Sequence, residues 1–247
     1  MNCEKINILK EYVPELTDHQ LDRFIRYYEM LVETNKVMNL TAITEFDDVV
    51  VKHFADSLSI VCEDKCVGGT VLLTHPATHI LDIGTGAGFP GIPLKIAFPD
   101  ISITLLDSLG KRVNFLNDVI NELDLNDEGH IEAIHSRAED YIREPGIRES
   151  YDLVVSRAVA SLNILSEYAI PYVKPDGYFV AYKSEKTEEE LKESQNALKI
   201  LGGEVSDTRT FTLPDSDISR TLITIKKTCL TPDKYPRKAG LPSKKPL

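Results

Sequence analysis

The spacing of apolar residues along the chain changes near residue 80. Before that point, apolar residues recur every three or four positions, which is the period of an amphipathic α-helix. Two such series occur, the first being Leu21, Phe24, Ile25, Tyr28, Leu31 and Val32 and the second Val49, Val50, Phe54, Leu58 and Val61. Residues 17–20 match a capping box before the first series, and residues 44–47 offer a cap for the second. The pattern predicts an N-terminal helical region over residues 1–70.

After residue 80, short apolar runs alternate with segments of helical period. We predict strands at residues 80–83, 101–107, 131–135, 151–156 and 178–183, with helices between them and a turn at 174–177. This alternation is typical of parallel strands covered by helices on both faces. Residues 205–211 and 220–226 have the pattern of a terminal hairpin. The prediction is an α/β domain over residues 71–228 with a mostly parallel, seven-stranded sheet.

Several residues are placed where helices of this domain should begin. Pro90 suits a first turn, because its fixed φ fits there and its missing N–H would have had no partner. Ser108 follows the second predicted strand and is expected to cap the next helix. Thr187 and Glu190 match a second capping box.

Charge is distributed unevenly along the 247 residues, whose net charge is −11. Residues 226–247 hold seven basic residues and one acidic residue, a net charge of +6, which leaves −17 for the first 225. A basic tail (residues 229–247) on an acidic body suggests that this end contacts a polyanion, with Arg237 and Lys238 as candidates. A solvated terminus is the alternative.

The composition argues against a membrane, a secretory route and a metal site. No stretch approaches the roughly 18 consecutive apolar residues of a membrane span, and the N terminus lacks the order of a signal peptide. The cysteines are Cys3, Cys62, Cys66 and Cys229, and Cys62 and Cys66 have no second pair to complete a zinc site. We expect free thiols and a cytoplasmic, monomeric protein.

A glycine-rich stretch follows the first predicted strand and indicates a nucleotide-type cofactor. Residues 86–91 match G-x-G-x-x-G, with Asp107 about 20 residues further on, as in dinucleotide-binding proteins. Counted from the strand, the pattern is instead Asp82-x-Gly84-x-Gly86-x-Gly88, which resembles the first motif of class I S-adenosylmethionine (SAM) methyltransferases. A carboxylate there suits an ammonium group better than a pyrophosphate. A side chain on Gly84 or Gly86 would intrude where backbone meets cofactor. A glycine turn with a purely structural role is a third alternative.

Three charged residues follow the second predicted strand. Asp107 ends it, at a position where a carboxylate can accept hydrogen bonds from both ribose hydroxyls of an adenosine cofactor. Lys111 and Arg112 fall in the first turn of the next helix, where cations oppose the helix dipole. Nearby RNA phosphate would explain their presence, and ordinary surface charge is the alternative.

Several stretches in this order and spacing resemble one family, the bacterial RsmG family, also called glucose-inhibited division protein B. The stretches are residues 39–42, 53–58, 84–91, 106–112, 136–139, 156–158 and 235–238. The resemblance covers nearly the whole chain and implies the class I Rossmann-like methyltransferase fold. It also implies methyl transfer from SAM to N7 of a guanosine in 16S ribosomal RNA of the small ribosomal subunit. The SAM contacts it implies are Gly84, Phe89, Ala138, Glu139 and Arg157.

The absence of an Asn-Pro-Pro-Tyr motif after the fourth strand agrees with this chemistry. Guanine N7 carries an in-plane lone pair that needs no deprotonation, so no catalytic base is required. Arg157 is a candidate to orient the cofactor or to hold the guanine O6 and N7 edge, unless it is a structural partner of an acid such as Glu139. His53 is expected to be packed or on the surface. The alternative functions are a SAM methyltransferase acting on a protein or small molecule, and a non-catalytic SAM-binding or RNA-binding module.

Overall fold

The computed structural model describes residues 4–61, 73, 75, 78–157, 160–184 and 187–247. Within them the strands form one seven-stranded sheet in the order β3-β2-β1-β4-β5-β7-β6. The strands are β1 His79–Ile83, β2 Ser102–Asp107, β3 Ile131–His135, β4 Tyr151–Arg157, β5 Val173–Lys183, β6 Gly203–Thr212 and β7 Ser219–Lys227. β1 to β5 pair in parallel, whereas β7 runs antiparallel to β5 and β6. The predicted sheet and its terminal hairpin are confirmed.

Parallel pairing brings the functional ends of the strands to one edge of the sheet. Ile83 pairs with Leu106, and Asp107 pairs with His135. Further along, Arg157 pairs with Tyr182. Because β7 is antiparallel, its first residues reach the same edge, which we call the carboxyl edge.

Helices flank the sheet strands in the predicted alternation. They are α1 Asp18–Asn35, α2 (residues 46–58), α3 Gly91–Ala97, α4 Gly110–Glu122, α5 Ala138–Tyr141, α6 Leu162–Ala169, α7 Thr187–Leu201 and α8 Leu241–Lys244. The middle of α2, Val50–Ala55, is π-helical, and 3₁₀ turns occur at Lys5–Glu11 and Ile170–Tyr172. No helix of the described ranges is long and apolar enough to cross a bilayer.

The N-terminal helices share a core with one face of the sheet. The capping box at Thr17 and Gln20 is present, and α1 buries Leu21, Phe24, Tyr27 and Leu31. These side chains pack in one apolar cluster with residues of β1, α3 and β2. The other face of the sheet has a second cluster, which includes Tyr235 from the C-terminal segment. The predicted boundary after residue 70 falls outside the described residues.

Three of the predicted helix starts are wrong. The N-cap of α2 is Glu45, whose side chain makes no capping bond, and α4 begins after Leu109, so Ser108 is not its cap. The Leu109 N–H is instead satisfied by Asp107 Oδ1 at 2.9 Å.

The third wrong start concerns α7. Thr187 Oγ1 is buried without a hydrogen-bond partner among the described residues, and Glu190 accepts the Leu162 N–H and pairs with Lys183. The Glu190 carboxylate, which the capping box would have used, is therefore bonded to residues of other elements instead.

Two local predictions need smaller corrections. The predicted turn at 174–177 lies inside β5, where Asp176 has a φ of 67° and the pairing with β4 shifts register. The chain therefore bulges there rather than turning. Pro90 lies at the N-cap of α3, one residue before the first turn that was predicted for it.

Candidate active site

The glycine stretch forms a tight turn between β1 and α3. Gly84, Gly86 and Gly88 have φ values of 69°, 64° and 106°, which L side chains rarely adopt. A Cβ on Gly88 would lie 2.5 Å from Ile92 Cδ1 and 2.7 Å from the Tyr27 hydroxyl. Tyr27 in turn donates a hydrogen bond to the Ala87 carbonyl. The turn is therefore locked against α1: all three glycines supply the required φ, and Gly88 also leaves no space for a side chain.

Asp82 forms its hydrogen bonds within this turn. The charge argument predicted instead that its carboxylate faces an ammonium group. Its Oδ2 accepts hydrogen bonds from Thr85 Oγ1 at 2.7 Å and from the Gly91 N–H at 2.9 Å. The side chain is fully buried, and its Oδ1 has no partner among the described residues. Burial raises the pKa of Asp82 to about 6. Its role in the fold is to connect the two ends of the turn.

The first cavity, of about 430 Å³, opens at the carboxyl ends of β1, β2 and β3. It brings together four of the predicted SAM contacts, which are Gly84, Asp107, Ala138 and Glu139. The predicted contacts Gly86, Phe89 and Arg157 are not among its lining residues. The prediction did not include Ser136, Arg137, Tyr168, Gly240 and Ser243, which also line it.

Asp107 lies in the wall of the first cavity and is 3% exposed. Its Oδ2 accepts a hydrogen bond from the Gly86 N–H at 3.0 Å and lies 3.5 Å from Arg112 Nη1. The carboxylate therefore fixes the glycine turn as well as presenting charge to the cavity. The contact with Arg112 also accounts for a cation in the first turn of α4, because it neutralises Asp107.

Glu139 is the second carboxylate of the first cavity and is 6% exposed. Its Oε1 accepts a hydrogen bond from the Gly240 N–H at 3.1 Å. Beside it, the hydroxyls of Tyr168 and Ser243 lie 3.0 Å apart. The C-terminal segment therefore contributes to this cavity, although the sequence predicted a solvated or RNA-binding tail.

Phe89 lies in an aromatic cluster with Tyr27, His53 and Phe54. Its ring stacks on His53 with centroids 4.5 Å apart and lies 5.5 Å from the ring of Tyr27. The guanidinium carbon of Arg157 is 4.8 Å from the Phe89 ring centroid. The contacts that the structure gives Phe89 are thus those of a core residue and a cation–π partner.

Arg157 pairs with Asp56, not with Glu139. Its Nη1 lies 2.9 Å from Asp56 Oδ2, and Arg220 Nε lies 3.2 Å from Asp56 Oδ1. Asp56 is 2% exposed, so one buried carboxylate holds two arginines from β4 and β7. The motif at residues 53–58 contains this acid, and it was the available signal for the pairing.

His53 is packed, which is one of the two environments that the sequence favoured, and its imidazole is neutral. Its Nε2 lies 2.8 Å from Thr41 Oγ1, and its Nδ1 lies 3.3 Å from Arg157 Nη2. Burial, and then the charge of Arg157, lowers the pKa of His53 to about 3. An uncharged imidazole can therefore lie directly against the Arg157 guanidinium.

The second cavity, of about 570 Å³, lies at the same edge, beside β4, β5 and the start of β7. Among the described residues, its charged lining consists of the cations Lys52, Arg157, Lys183 and Arg220 and the anions Asp56 and Glu190, a net charge of +2. The first cavity has Arg112 and Arg137 against Asp107 and Glu139, and its lining is neutral. Ala158, the last residue of the motif at 156–158, lies outside the described residues.

The predicted RNA-binding residues fall into different environments. Lys111 and Lys238 are exposed, and Arg112 lies at the first cavity. Arg237 instead forms an ion pair with Glu167, with Nη2 and Oε2 2.6 Å apart and the Glu167 side chain 1% exposed. Its guanidinium is engaged by Glu167 within the protein, and contact of Arg237 with RNA stays a prediction.

Of the four cysteines expected to be free thiols, the structure describes Cys229. Cys3, Cys62 and Cys66 lie outside the described residues, whereas Cys229 is an exposed free thiol. Among the described side chains, no group of three His, Cys, Asp or Glu residues is arranged to hold a metal ion.

Comparison with known proteins gives the family. Residues 20–219 match the model of the family described as rRNA small subunit methyltransferase G. The protein of that name from Lachnoclostridium phytofermentans is 51% identical over 246 residues, covering 100% of this chain and 97% of that protein. Its namesake from Alkaliphilus metalliredigens is 49% identical over 244 residues, covering 97% of this chain and 98% of the relative.

A solved structure supports the fold. It is that of P. horikoshii TYW2 in complex with MeSAdo, which matches 63% of this chain and 60% of its own with a TM-score of 0.50. At 13% identity the likeness concerns the fold alone, and that fold is the class I methyltransferase fold. Taken with the two full-length relatives, the match over residues 20–219 shows that the chain belongs to the rRNA small subunit methyltransferase G family.

Proposed function

We propose that this chain transfers the methyl group of SAM to N7 of a guanosine in the 16S RNA of the small ribosomal subunit. The observation that carries the proposal is the pair of cavities at one sheet edge, one neutral and one with a lining of +2. A methyltransferase acting on RNA needs two such sites side by side, because it must hold a cofactor and a polyanion together.

The residues of the first cavity fit SAM. Carboxylates are strong hydrogen-bond acceptors, and Asp107 and Glu139 are both held by backbone N–H groups in that wall. Asp107 would accept hydrogen bonds from the ribose hydroxyls, and the Gly84 backbone and Ala138 would contact the rest of the cofactor. SAM, when bound, supplies an electrophilic methyl group on a sulfonium ion.

The second cavity supports RNA as the substrate. The whole chain has a net charge of −11, so RNA is repelled by most of the protein. Among the described lining residues, four cations face two carboxylates: Arg157 and Arg220 pair with Asp56, and Lys183 pairs with Glu190. Lys52 pairs with Asp48 outside the lining, so four cations against three acids leave a local charge of +1 where β4, β5 and β7 meet the sheet edge. The arginines also have donors that match the O6 and N7 edge of guanine.

The arrangement provides alignment without a catalytic base. N7 of guanine has a free lone pair at neutral pH, so no proton has to be removed before methyl transfer. The only histidine in the second cavity lining is His53, whose lowered pKa and contacts with Thr41 and Arg157 suit packing. Holding the two reactants in line can contribute about 7–11 kcal/mol to lowering the barrier.

Methyl transfer from labelled SAM tests the proposal when three acceptors are compared side by side. These are small ribosomal subunits, deproteinised 16S RNA and a protein mixture without RNA. We expect label in RNA, recovered as 7-methylguanosine after nuclease digestion and mass spectrometry. Label confined to protein, or SAM binding without transfer to any of the three, would contradict the proposal.

A further inference from the structure

We infer that the end of the chain, residues 235–247, forms one wall of the SAM site and positions Glu139. We call these residues the C-terminal strap. The inference deepens the proposed function and rests on it, because it takes the first cavity as the SAM site. It assigns to a basic segment a role other than contact with RNA.

The strap is anchored at its start by buried groups. Tyr235 is 7% exposed, and its carbonyl accepts a hydrogen bond from Arg148 Nη1 at 2.8 Å. Glu167 Oε1 then accepts two hydrogen bonds from Arg237, one from the backbone N–H at 2.8 Å and one from Nε at 2.9 Å. With Glu167 almost fully buried, this ion pair is costly to open, since it would leave a carboxylate without a partner.

From this anchor the strap passes over the first cavity. Gly240 has a φ of 77°, and the backbone there turns its N–H to Oε1 of Glu139 at 3.1 Å. The short helix α8 follows, with Pro242 buried. Ser243 meets the Tyr168 hydroxyl, and both Gly240 and Ser243 line the cavity.

These contacts give the strap two effects on a ligand in the first cavity. The Gly240 N–H fixes the orientation of the Glu139 carboxylate, and Gly240 and Ser243 line the same cavity as Asp107. A ligand in this cavity would therefore contact the strap as well as the sheet edge. Ser243, Lys244 and Lys245 are all exposed, but of these three only Ser243 lines the cavity.

A matched pair of full-length variants tests the inference. Ser243→Trp places a large ring on the cavity side of the strap, and Lys244→Trp adds the same ring to the neighbouring exposed residue. We expect Ser243→Trp to raise the Kd for SAM, measured by calorimetry, by about 10-fold or more, because the ring would occupy part of the cavity; tenfold corresponds to about 1.4 kcal/mol of binding free energy. Lys244→Trp should bind SAM as the unmodified chain does.

A second measurement uses the unmodified chain and does not depend on a variant. If the strap contacts SAM, then SAM must stabilise the strap, because coupling between two binding elements is reciprocal. Amide hydrogen exchange in residues 239–247 should therefore slow when SAM is added. Exchange at the Gly203–Thr212 strand, at the far edge of the sheet, is the internal control.

The possible results separate the inference from the proposed function. A chain that does not bind SAM at all would contradict the proposed function. A chain that binds SAM, with unchanged exchange in residues 239–247 and equal affinities for both tryptophan variants, would overturn the role of the strap alone. Slowed exchange together with a selective loss in Ser243→Trp would support it.

Discussion

The neutral state of His53 gives a quantitative prediction for stability against pH. Folding lowers the pKa of this imidazole from 6.5 to about 3. Between those two pKa values the His53 imidazole is protonated in the unfolded chain and neutral in the folded chain. The stabilisation is therefore fully present above pH 6.5 and is lost as the pH falls toward 3, by about 1.4 kcal/mol per pH unit. Integrated from pH 7 to pH 5, the loss is about 2 kcal/mol.

Asp82 opposes this effect, so the total stability of the protein does not isolate His53. Folding raises the pKa of Asp82 from 3.8 to about 6. The folded chain therefore binds this proton more tightly between pH 6 and pH 4, and stability rises as the pH falls through that range. Over the shared range the two slopes have opposite sign and similar size. Only a comparison with a variant can separate them.

His53→Gln supplies that comparison, because glutamine can still reach Thr41 but does not titrate. Urea unfolding followed by circular dichroism would be measured for both proteins at pH 7, 6 and 5. The loss of the stacked ring lowers the stability of the variant by a constant amount. On top of this offset, the difference in unfolding free energy between the two proteins should shrink by about 2 kcal/mol from pH 7 to pH 5. A difference that stays constant over this range would refute a neutral, buried His53.

Three further predictions concern the two cavities. Asp107→Asn keeps the side-chain shape but removes its charge, so the calorimetric Kd for SAM should rise about 10- to 100-fold; unchanged affinity would remove Asp107 from the site. Gly86→Val forces a β-branched residue into a φ of 64°, so SAM binding should be lost while circular dichroism still reports a folded sheet domain. Arg220→Gln should reduce the slope of log K for RNA binding against log salt concentration by about 0.7. The control is Lys199→Gln, at an exposed residue near the opposite end of the sheet. Equal slopes for both variants would argue against the second cavity as an RNA site.

Four of the seven SAM contacts predicted from the sequence line the first cavity, because their motifs are local. A strand that ends in a carboxylate places that carboxylate at the sheet edge, so the position of Asp107 could be predicted before the structure was known. Glu139 follows β3 in the same way. By contrast, the caps at Ser108 and Thr187 failed because side chains from other elements took over the hydrogen bonds, as Asp107 does for Leu109. Local rules are reliable where no tertiary partner competes.

The second cavity and the strap could not be predicted, because their residues are far apart along the chain. Lys52, Lys183 and Arg220 come from three elements that only the fold brings together. Likewise, the positive charge of the tail does not reveal that Arg237 pairs with Glu167, which lies 70 residues away along the chain. The net charge of a segment does not tell which of its charged side chains form ion pairs within the protein.

The topology of the sheet explains how two separate cavities can serve one reaction. The first cavity lies at β1, β2 and β3 and the second at β4, β5 and β7, so they adjoin where β1 pairs with β4. Ser156 Oγ donates to the Ile83 carbonyl at 2.7 Å across this junction, and the Phe89 ring with Arg157 lies beside it. Arg157 lines the second cavity, and Phe89 contacts it from the end of the glycine turn that borders the first. We expect them to act on the alignment of the two reactants, which is the part of the chemistry that neither cavity can perform alone.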